Sequence, residues 1–525
     1  MELLLALLPF LGDSEYEVAD PTSKENRADY LILAPADFVK EIDPLAAHRA
    51  KLGHRVAIVT IENCAKTWKD PREFVLYAAK SWKAPAPKFL LLVGDADRIP
   101  SIQRSSAYQT TRFKNDEELG TDHLYGVLDD GFDAAIAVGR FPADSKEEVR
   151  TMVEKTIAYE RDLKPGAWQK KISFVTGEGG FSPMIDPLLE AQFTQLVSEN
   201  IPSAYDIEVA YSKTGSNYCP YPPKFHDNAL RLLNEGSLFY VYVGHGYRDG
   251  FDSLKWKKGK YPIFNQSHVK DVDVKSGMPI MFVLACTTGC YDFPGKDCVG
   301  EDLFKRARGP VAFVGGSRIT QPYPNAILGK EIIAQVFQER RDTLGWALVE
   351  AKKRMLAGDD SKFRRTADMM AGAVQGRENL EPMRKDCLLH YNLLGDPALR
   401  LRRPQEGLVL EHPKTAAPKE AVTVRGRSPI RTGTARIALE CLRTKFARPL
   451  PKVILGAEDF EQKIAERYRA ANDKGIVFLE TEVKDGMFEA RLPLPHDLAK
   501  GEYVLKVSVL GEEGLAFGAG TLKCD

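Results

Sequence analysis

Net charge is the first thing this chain lacks. Its 73 Lys and Arg offset 73 Asp and Glu over 525 residues, and no basic run resembles a phosphate-binding patch. Nucleic-acid binding and partners chosen by bulk electrostatics are therefore not expected. No apolar stretch is long enough to span a membrane. Leu3 to Leu11 is a compact apolar segment ending at Gly12-Asp13. It has no basic residue before it and no clean small-x-small cleavage site, yet its length suits the core of an export signal better than a buried first strand. The expected location is secreted or at the cell envelope.

Cysteine is sparse. The eight are scattered along the chain, which argues against a disulfide framework. Cys286, Cys290 and Cys298 lie close enough in sequence to ask about zinc, with His245 as a fourth ligand. Structural zinc sites favour C-x2-C knuckles, which are absent here, so no metal site is expected. Internal repeats and low-complexity tracts are absent too.

What is present is a strand–helix rhythm. After a polar stretch at residues 13–28, read as a leader or linker, come the strands Tyr30 to Ala34, Arg55 to Thr60 and Phe89 to Val93. Helices at Asp37 to Leu52 and Glu73 to Trp82 separate them, a βαβαβ pattern that implies a parallel sheet. Leu163-Lys164-Pro165-Gly166 breaks the chain into a second α/β unit. Its strands are expected near Ile172, Ile207, Leu238, Ile280 and Val311, with a last one over Ala398 to Leu401. Beyond Pro404, short strands alternate with Gly and Pro turns and read as a β-sandwich. A helix near Asp459 to Ala471 interrupts it. The domain expectation is a leader (1–28), two α/β subdomains (29–165 and 166–403) and a sandwich (404–525).

Two strands carry the chemistry. Leu238 to Val243 leads into Gly244-His245-Gly246, and Ile280 to Ala285 leads into Cys286-Thr287-Thr288-Gly289. The carboxyl ends of such strands are where ligands collect. If the strands are neighbours, an imidazole stands beside a thiol, the minimum for a cysteine nucleophile with its base. Alone, each residue has an ordinary explanation, a satisfied surface His and a small buried hydrophobe. The flanking glycines permit close backbone approach and suggest the N–H groups of Gly246 and Cys286 as oxyanion donors.

The same residues resemble the gingipain-type cysteine peptidases, whose wider caspase and legumain group carries His-Gly after one strand and Ala-Cys after the next. Here these are His245-Gly246 and Ala285-Cys286. Further matches run from Tyr30 to Leu401 and include Leu91-Leu92-Val93-Gly94-Asp95, Val138-Gly139-Arg140-Phe141, Cys298-Val299-Gly300-Glu301 and Leu394-Gly395-Asp396-Pro397. Thr287-Thr288 stand where arginine-cleaving members carry Val-Asn. The resemblance implies an α/β fold of caspase/gingipain-like parallel sheets in two subdomains, followed by an immunoglobulin-like β-sandwich. It implies a cysteine endopeptidase acting on protein or peptide substrates, with Glu178 in Gly177-Glu178-Gly179-Gly180 as the third catalytic carboxylate. It also implies structural calcium, with no cofactor for the chemistry. Asp186 is the candidate for recognising Arg or Lys on the acyl side of the bond. It fits equally as the cap of a helix starting at Pro187. The rival readings are a catalytically idle or self-processing surface protein, whose sandwich binds a partner or the cell envelope, and a non-peptidase Cys hydrolase or acyltransferase.

Overall fold

A computed structural model describes residues 14–108, 118–179 and 196–525. Ten strands form one sheet. They are β1 (Tyr30–Ala34), β2 (Val56–Thr60), β3 (Phe89–Val93), β4 (Ala137–Phe141), β5 (Lys171–Thr176), β6 (Asp206–Tyr211), β7 (Phe239–Val243), β8 (Ile280–Leu284), β9 (Ala312–Gly316) and β10 (Tyr391–Leu394). Their spatial order is β2-β1-β3-β4-β10-β9-β8-β7-β5-β6. Every residue of β1, β3, β8 and β9 is buried, as expected of strands covered on both faces. Each fully buried Leu, Ile, Val or Phe contributes about 1.5–3 kcal/mol before chain entropy is counted.

The two α/β units share this sheet but run in opposite directions. β10 lies parallel to β4 and antiparallel to β9, so it is the seam where strand direction reverses. The expected final strand at Ala398 to Leu401 is corrected by this seam. The strand lies before Gly395-Asp396-Pro397, at Tyr391–Leu394, and Ala398 and Leu399 follow it as buried coil. Both segments are short and apolar, and only the neighbouring β4 and β9 decide which one pairs.

The leader expectation also needs correcting over residues 14–28. Val18 N–H donates to the Ile58 carbonyl at 2.9 Å, Trp82 Nε1–H to the Pro21 carbonyl at 3.1 Å, and Ala28 is fully buried. This stretch packs against β2 and the helix that ends before Trp82. Its polar composition hid a role in backbone pairing. Residues 1–13 lie outside the described residues.

The helices that matter for the site are α1 (Val299–Lys305) and α2 (Pro322–Ile333). Helix α1 starts where Glu301 accepts the Cys298 N–H at 2.8 Å, and α2 carries Pro322 in its first turn, where its missing N–H costs nothing. The C-terminal region stacks a three-stranded sheet on a five-stranded one, around its own core of residues such as Val424, Ile437, Leu439, Leu505 and Val509. One helix, α3 (Phe460–Asn472), interrupts it. It ends against the open edge of β6. Asn472 accepts the Val209 N–H at 2.8 Å and donates to its carbonyl at 3.1 Å, a side-chain amide covering an edge that would otherwise invite pairing. Among the described residues, no helix is long and apolar enough to cross a membrane.

Candidate active site

β7 and β8 are adjacent and parallel, with Val243 beside Leu284. Two further residues on each strand bring His245 and Cys286 to the same level. The glycines let these strand ends approach closely. A Cβ on Gly246 would lie 2.6 Å from the Cys286 carbonyl oxygen and 2.7 Å from Ala285 Cβ. A Cβ on Gly244 would lie 3.0 Å from Gly177 at the end of β5. No alanine fits at Gly246 without moving the turn that carries the thiol.

That turn is strained where it leaves the thiol. Thr287 has φ 49°, a left-handed conformation that a β-branched residue adopts only under constraint. The constraint is the loop after β9, since Thr287 N–H donates to the Arg318 carbonyl at 3.1 Å and Gly289 N–H to the Gly316 carbonyl at 2.9 Å. The same loop reaches the sulfur, with Thr320 N–H 3.3 Å from Cys286 Sγ and the Thr320 carbonyl 3.5 Å away. Cys286 is half-buried, unlike the other seven cysteines, which are buried. Among the described residues its backbone N–H meets no acceptor.

His245 Nε2 lies 2.5 Å from the Gly179 carbonyl. A carbonyl only accepts, so Nε2 carries the hydrogen, and Nδ1 is the nitrogen with the lone pair in the neutral ring. The His245 backbone is held from below. Buried Tyr242 donates its hydroxyl to the His245 carbonyl at 2.7 Å and accepts the Asp252 N–H at 3.2 Å. Its ring stacks on Phe251 with centroids 4.1 Å apart.

The expected site residues are thus partly gathered. His245, Gly246 and Cys286 come together, and Glu178 sits on the segment whose Gly179 carbonyl meets the imidazole. The Glu178 side chain is exposed and borders a cavity of about 900 Å³ between the β5–β6 edge and the sandwich. The described lining of that cavity does not reach Cys286. A smaller one of about 190 Å³ does, and His245 lines it too. Asp186 lies outside the described residues. Thr320 and Tyr242 were missed from sequence. A buried tyrosine whose hydroxyl must find a partner was a usable sign for the second, and nothing local marked the first.

The three thiols and His245 do not form a ligand set. Among the described residues, the one group of potential ligands with converging donor atoms is Asp95, Asp97 and Asp144, all within 4.8 Å of one another. Asp95 Oδ1 is buried without a partner, as is Glu301 Oε1. Oxygen donors of this kind suit a hard cation such as calcium. Lys305 already pairs with Asp144 at 2.7 Å, so part of the negative charge is met within the chain.

The match to known sequences decides the family. The profile of peptidase family C25 fits residues 23–402. The chain belongs to peptidase family C25. Among its relatives, gingipain R2 of Porphyromonas gingivalis is 24% identical over 336 residues, covering 61% of this chain and 41% of the relative. Lys-gingipain of the same organism is 24% identical over 309 residues, covering 57% of this chain and 16% of the relative. The chain therefore spans less than half the length of either. The crystal structure of the Arg-specific cysteine proteinase gingipain R superposes with a TM-score of 0.54 at 18% identity, covering 96% of this chain and 99% of that one. The C25 member described here thus shares the fold of that structure, sheet and C-terminal sandwich included.

Proposed function

We propose that the chain is a cysteine endopeptidase in which Cys286 is the nucleophile and His245 its base. The observation that carries this is a half-buried thiol and an imidazole, set at one level by the β7–β8 register, lining one cavity. His245 Nδ1 takes the thiol proton as Cys286 Sγ attacks the scissile carbonyl carbon. The tetrahedral oxyanion receives the N–H of Cys286, with Gly246 as the second donor. Collapse breaks the C–N bond, the imidazolium returns its proton to the leaving amine, and a thioester remains on Cys286. Water, deprotonated by the same imidazole, then releases the acid.

The Thr320 N–H faces the sulfur and offers a hydrogen bond to it as an anion. In this reading Glu178 acts on the imidazole through its loop, which holds the Gly179 carbonyl against Nε2, and by its charge. That is a positioning role with a smaller effect than either reacting residue. The calcium implied by the family resemblance would be structural, with Asp95, Asp97 and Asp144 as its holders. Export follows from the Leu3 to Leu11 segment, and the sandwich would serve as brace and attachment module for a partner or the cell envelope. Cleavage after Arg or Lys would need Asp186 as the acidic partner.

The test is turnover of a fluorogenic peptide pool together with labelling by a peptidyl acyloxymethyl ketone. Cys286→Ala should abolish both, and His245→Ala should lower kcat/KM by at least about 1000-fold. Glu178→Ala should cost about 10-fold or less. Inactivation by Cys290→Ala or Cys298→Ala, with Cys286→Ala active, would refute the assignment.

A further inference from the structure

The turn that leaves the imidazole carries a cation that the chemistry above does not use. After His245 the chain folds back on itself. Gly246 pairs with Phe251 and Tyr247 with Gly250, antiparallel, so Arg248 and Asp249 form the tip. Both tip carbonyls are held. Arg248 accepts the Val299 N–H at 2.7 Å and Asp249 the Gln266 N–H at 2.9 Å. The next N–H of α1, that of Gly300, donates to the Thr288 carbonyl at 3.1 Å. Successive N–H groups of one helix thus fix the Arg248 turn beside the turn that carries Cys286.

The Arg248 guanidinium lies 4.2 Å from the centre of the Phe293 ring, a stacking that holds a cation in place without neutralising it. Its Nη1 is buried and meets no acceptor among the described residues, while the side chain as a whole is half-buried. Asp292 and Asp297, on the loop that carries Phe293, are engaged elsewhere. Arg318 holds both oxygens of Asp292 at 2.7 and 2.6 Å, and Lys305 holds Asp297 at 2.8 Å. Asp249, next in the turn, is exposed, where water screens its charge. Beside the cation stand two large rings open to solvent, Tyr247 at 51% and Phe293 at 54% exposure. A charged donor left unmatched is costly to the chain alone and binds strongly to a group that matches it.

We propose that Arg248 binds a carboxylate of the substrate on the leaving-group side of the scissile bond, so that an acid there favours cleavage. This rests on the peptidase reading above and adds to it a specificity position independent of the acyl side. His245 hands its proton to the leaving amine, so the leaving segment passes the imidazole. The turn that begins at His245 is the surface it meets next. The planar fork of Arg matches a carboxylate with two parallel hydrogen bonds, where Lys would offer a point charge. The rings of Tyr247 and Phe293 offer the same segment apolar contact. The carboxylate is either an Asp or Glu side chain or the chain end of a short leaving segment, and both present the same group.

Internally quenched peptides, built on the acyl-side sequence that the fluorogenic pool favours, test this with Glu, Gln or Lys at the first and second leaving positions. A second set ends two residues after the bond, as free acid or as amide. Glu should exceed Gln in kcat/KM by about 10-fold at one of the two positions, or the free acid should exceed the amide by as much. Whichever set responds identifies the source of the carboxylate. Arg248→Gln should bring the responding ratio to within about 2-fold of unity, and Arg248→Lys should keep part of it, in protein that still takes the acyloxymethyl ketone at Cys286. Arg248→Glu should turn the preference toward Lys. On the wild type alone, about 0.5 M salt should shrink the ratio, because the ion pair is partly exposed. A wild type indifferent to every carboxylate, a ratio unmoved by salt, or a preference that persists in Arg248→Gln overturns the proposal and leaves the peptidase reading standing. No cleavage of any peptide, with Cys286 unlabelled, overturns the peptidase reading itself, and the Arg248 assignment falls with it.

Discussion

The two halves of the sheet are built alike and spend their polar groups differently. In the β1–β4 half, buried charge is tied up in holding the chain. Arg140 is fully buried and pairs with both Asp122 oxygens at 2.7 Å, and its Nη1 meets the Gly94 and Ile99 carbonyls. Arg49, equally buried, bridges Asp396 at the seam and Glu160. In the β5–β9 half the strand ends carry glycines, a thiol and an imidazole, and the backbone itself does the holding. One half ties off its charges, and the other leaves a half-buried thiol facing a cavity. The same βαβ plan thus serves as brace on one side of the seam and, in the function proposed above, as chemical edge on the other.

Arg140→Met tests the brace and should have the largest effect on stability. It strands the Asp122 carboxylate, itself nearly buried, so a loss of about 3–5 kcal/mol is expected in denaturant unfolding. Arg140→Met with Asp122→Asn should recover much of it, because the cost lies in the orphaned charge. Arg140 also lies 4.9 Å from the centre of the Tyr291 ring, just beyond the thiol turn. If the folded fraction of the single variant lost turnover in proportion to an altered thiol reactivity, the separation between brace and chemical edge would break down.

Gly246→Ala tests the other half and should separate the two quantities in the opposite sense. The added methyl meets backbone, not a flexible side-chain tip, so the Cys286 turn must move. Displacement of about an ångström at a reacting centre costs on the order of 100-fold in rate, and the overpacking itself about 1–3 kcal/mol. Rates and unfolding curves on one preparation check both numbers. Full activity in Gly246→Ala would mean that close approach at this glycine is not what sets the thiol.

How much of this was legible follows from where the information lies. The strands that deliver His245 and Cys286 are local apolar runs ended by glycine, and they stand where the sequence puts them. The reversal at β10 is invisible locally, because Tyr391–Leu394 and Ala398 to Leu401 are equally apolar and only pairing partners far along the chain, Phe313 in β9 and Arg140 in β4 for Leu394, give a strand its direction. Thr320 meets the sulfur with its backbone N–H and carbonyl and with Oγ1 at 3.7 Å, a contact made across the sheet end that no local pattern announces. Residues 14–28 looked unstructured because their order comes from main-chain bonds to Ile58 of β2 and from a few scattered contacts, such as those of Tyr16, Val18 and Ala28, that form no periodic pattern. The cavity beside the thiol belongs to the same class, since its described walls come from β5, β7, β8 and α2 together.

Asp95 offers the smallest effect and the most direct contrast with the tied-off charges around it. It sits at the end of β3, where burial, aided by Asp144, raises its pKa to about 6 against the pull of the Ala96 N–H, Arg140 and Lys305. The folded chain therefore holds this proton more tightly than the unfolded one. Its contribution is fully present below the ordinary carboxyl pKa near 3.8 and is lost as pH rises through about 6. Asp95→Asn removes that loss. The variant should be more stable than the wild type at pH 7 by about 1 kcal/mol, discounted for partial solvent exposure, and the gap should close below about pH 4. Calcium would reverse the order, because Asp95 would then be a ligand: millimolar calcium should raise the wild-type midpoint and leave Asp95→Asn unmoved. If the variant is less stable than the wild type at pH 7 in a chelator, then Asp95 is one more charge of the brace, already paired, and the strand ends of the first half hold no exception to it.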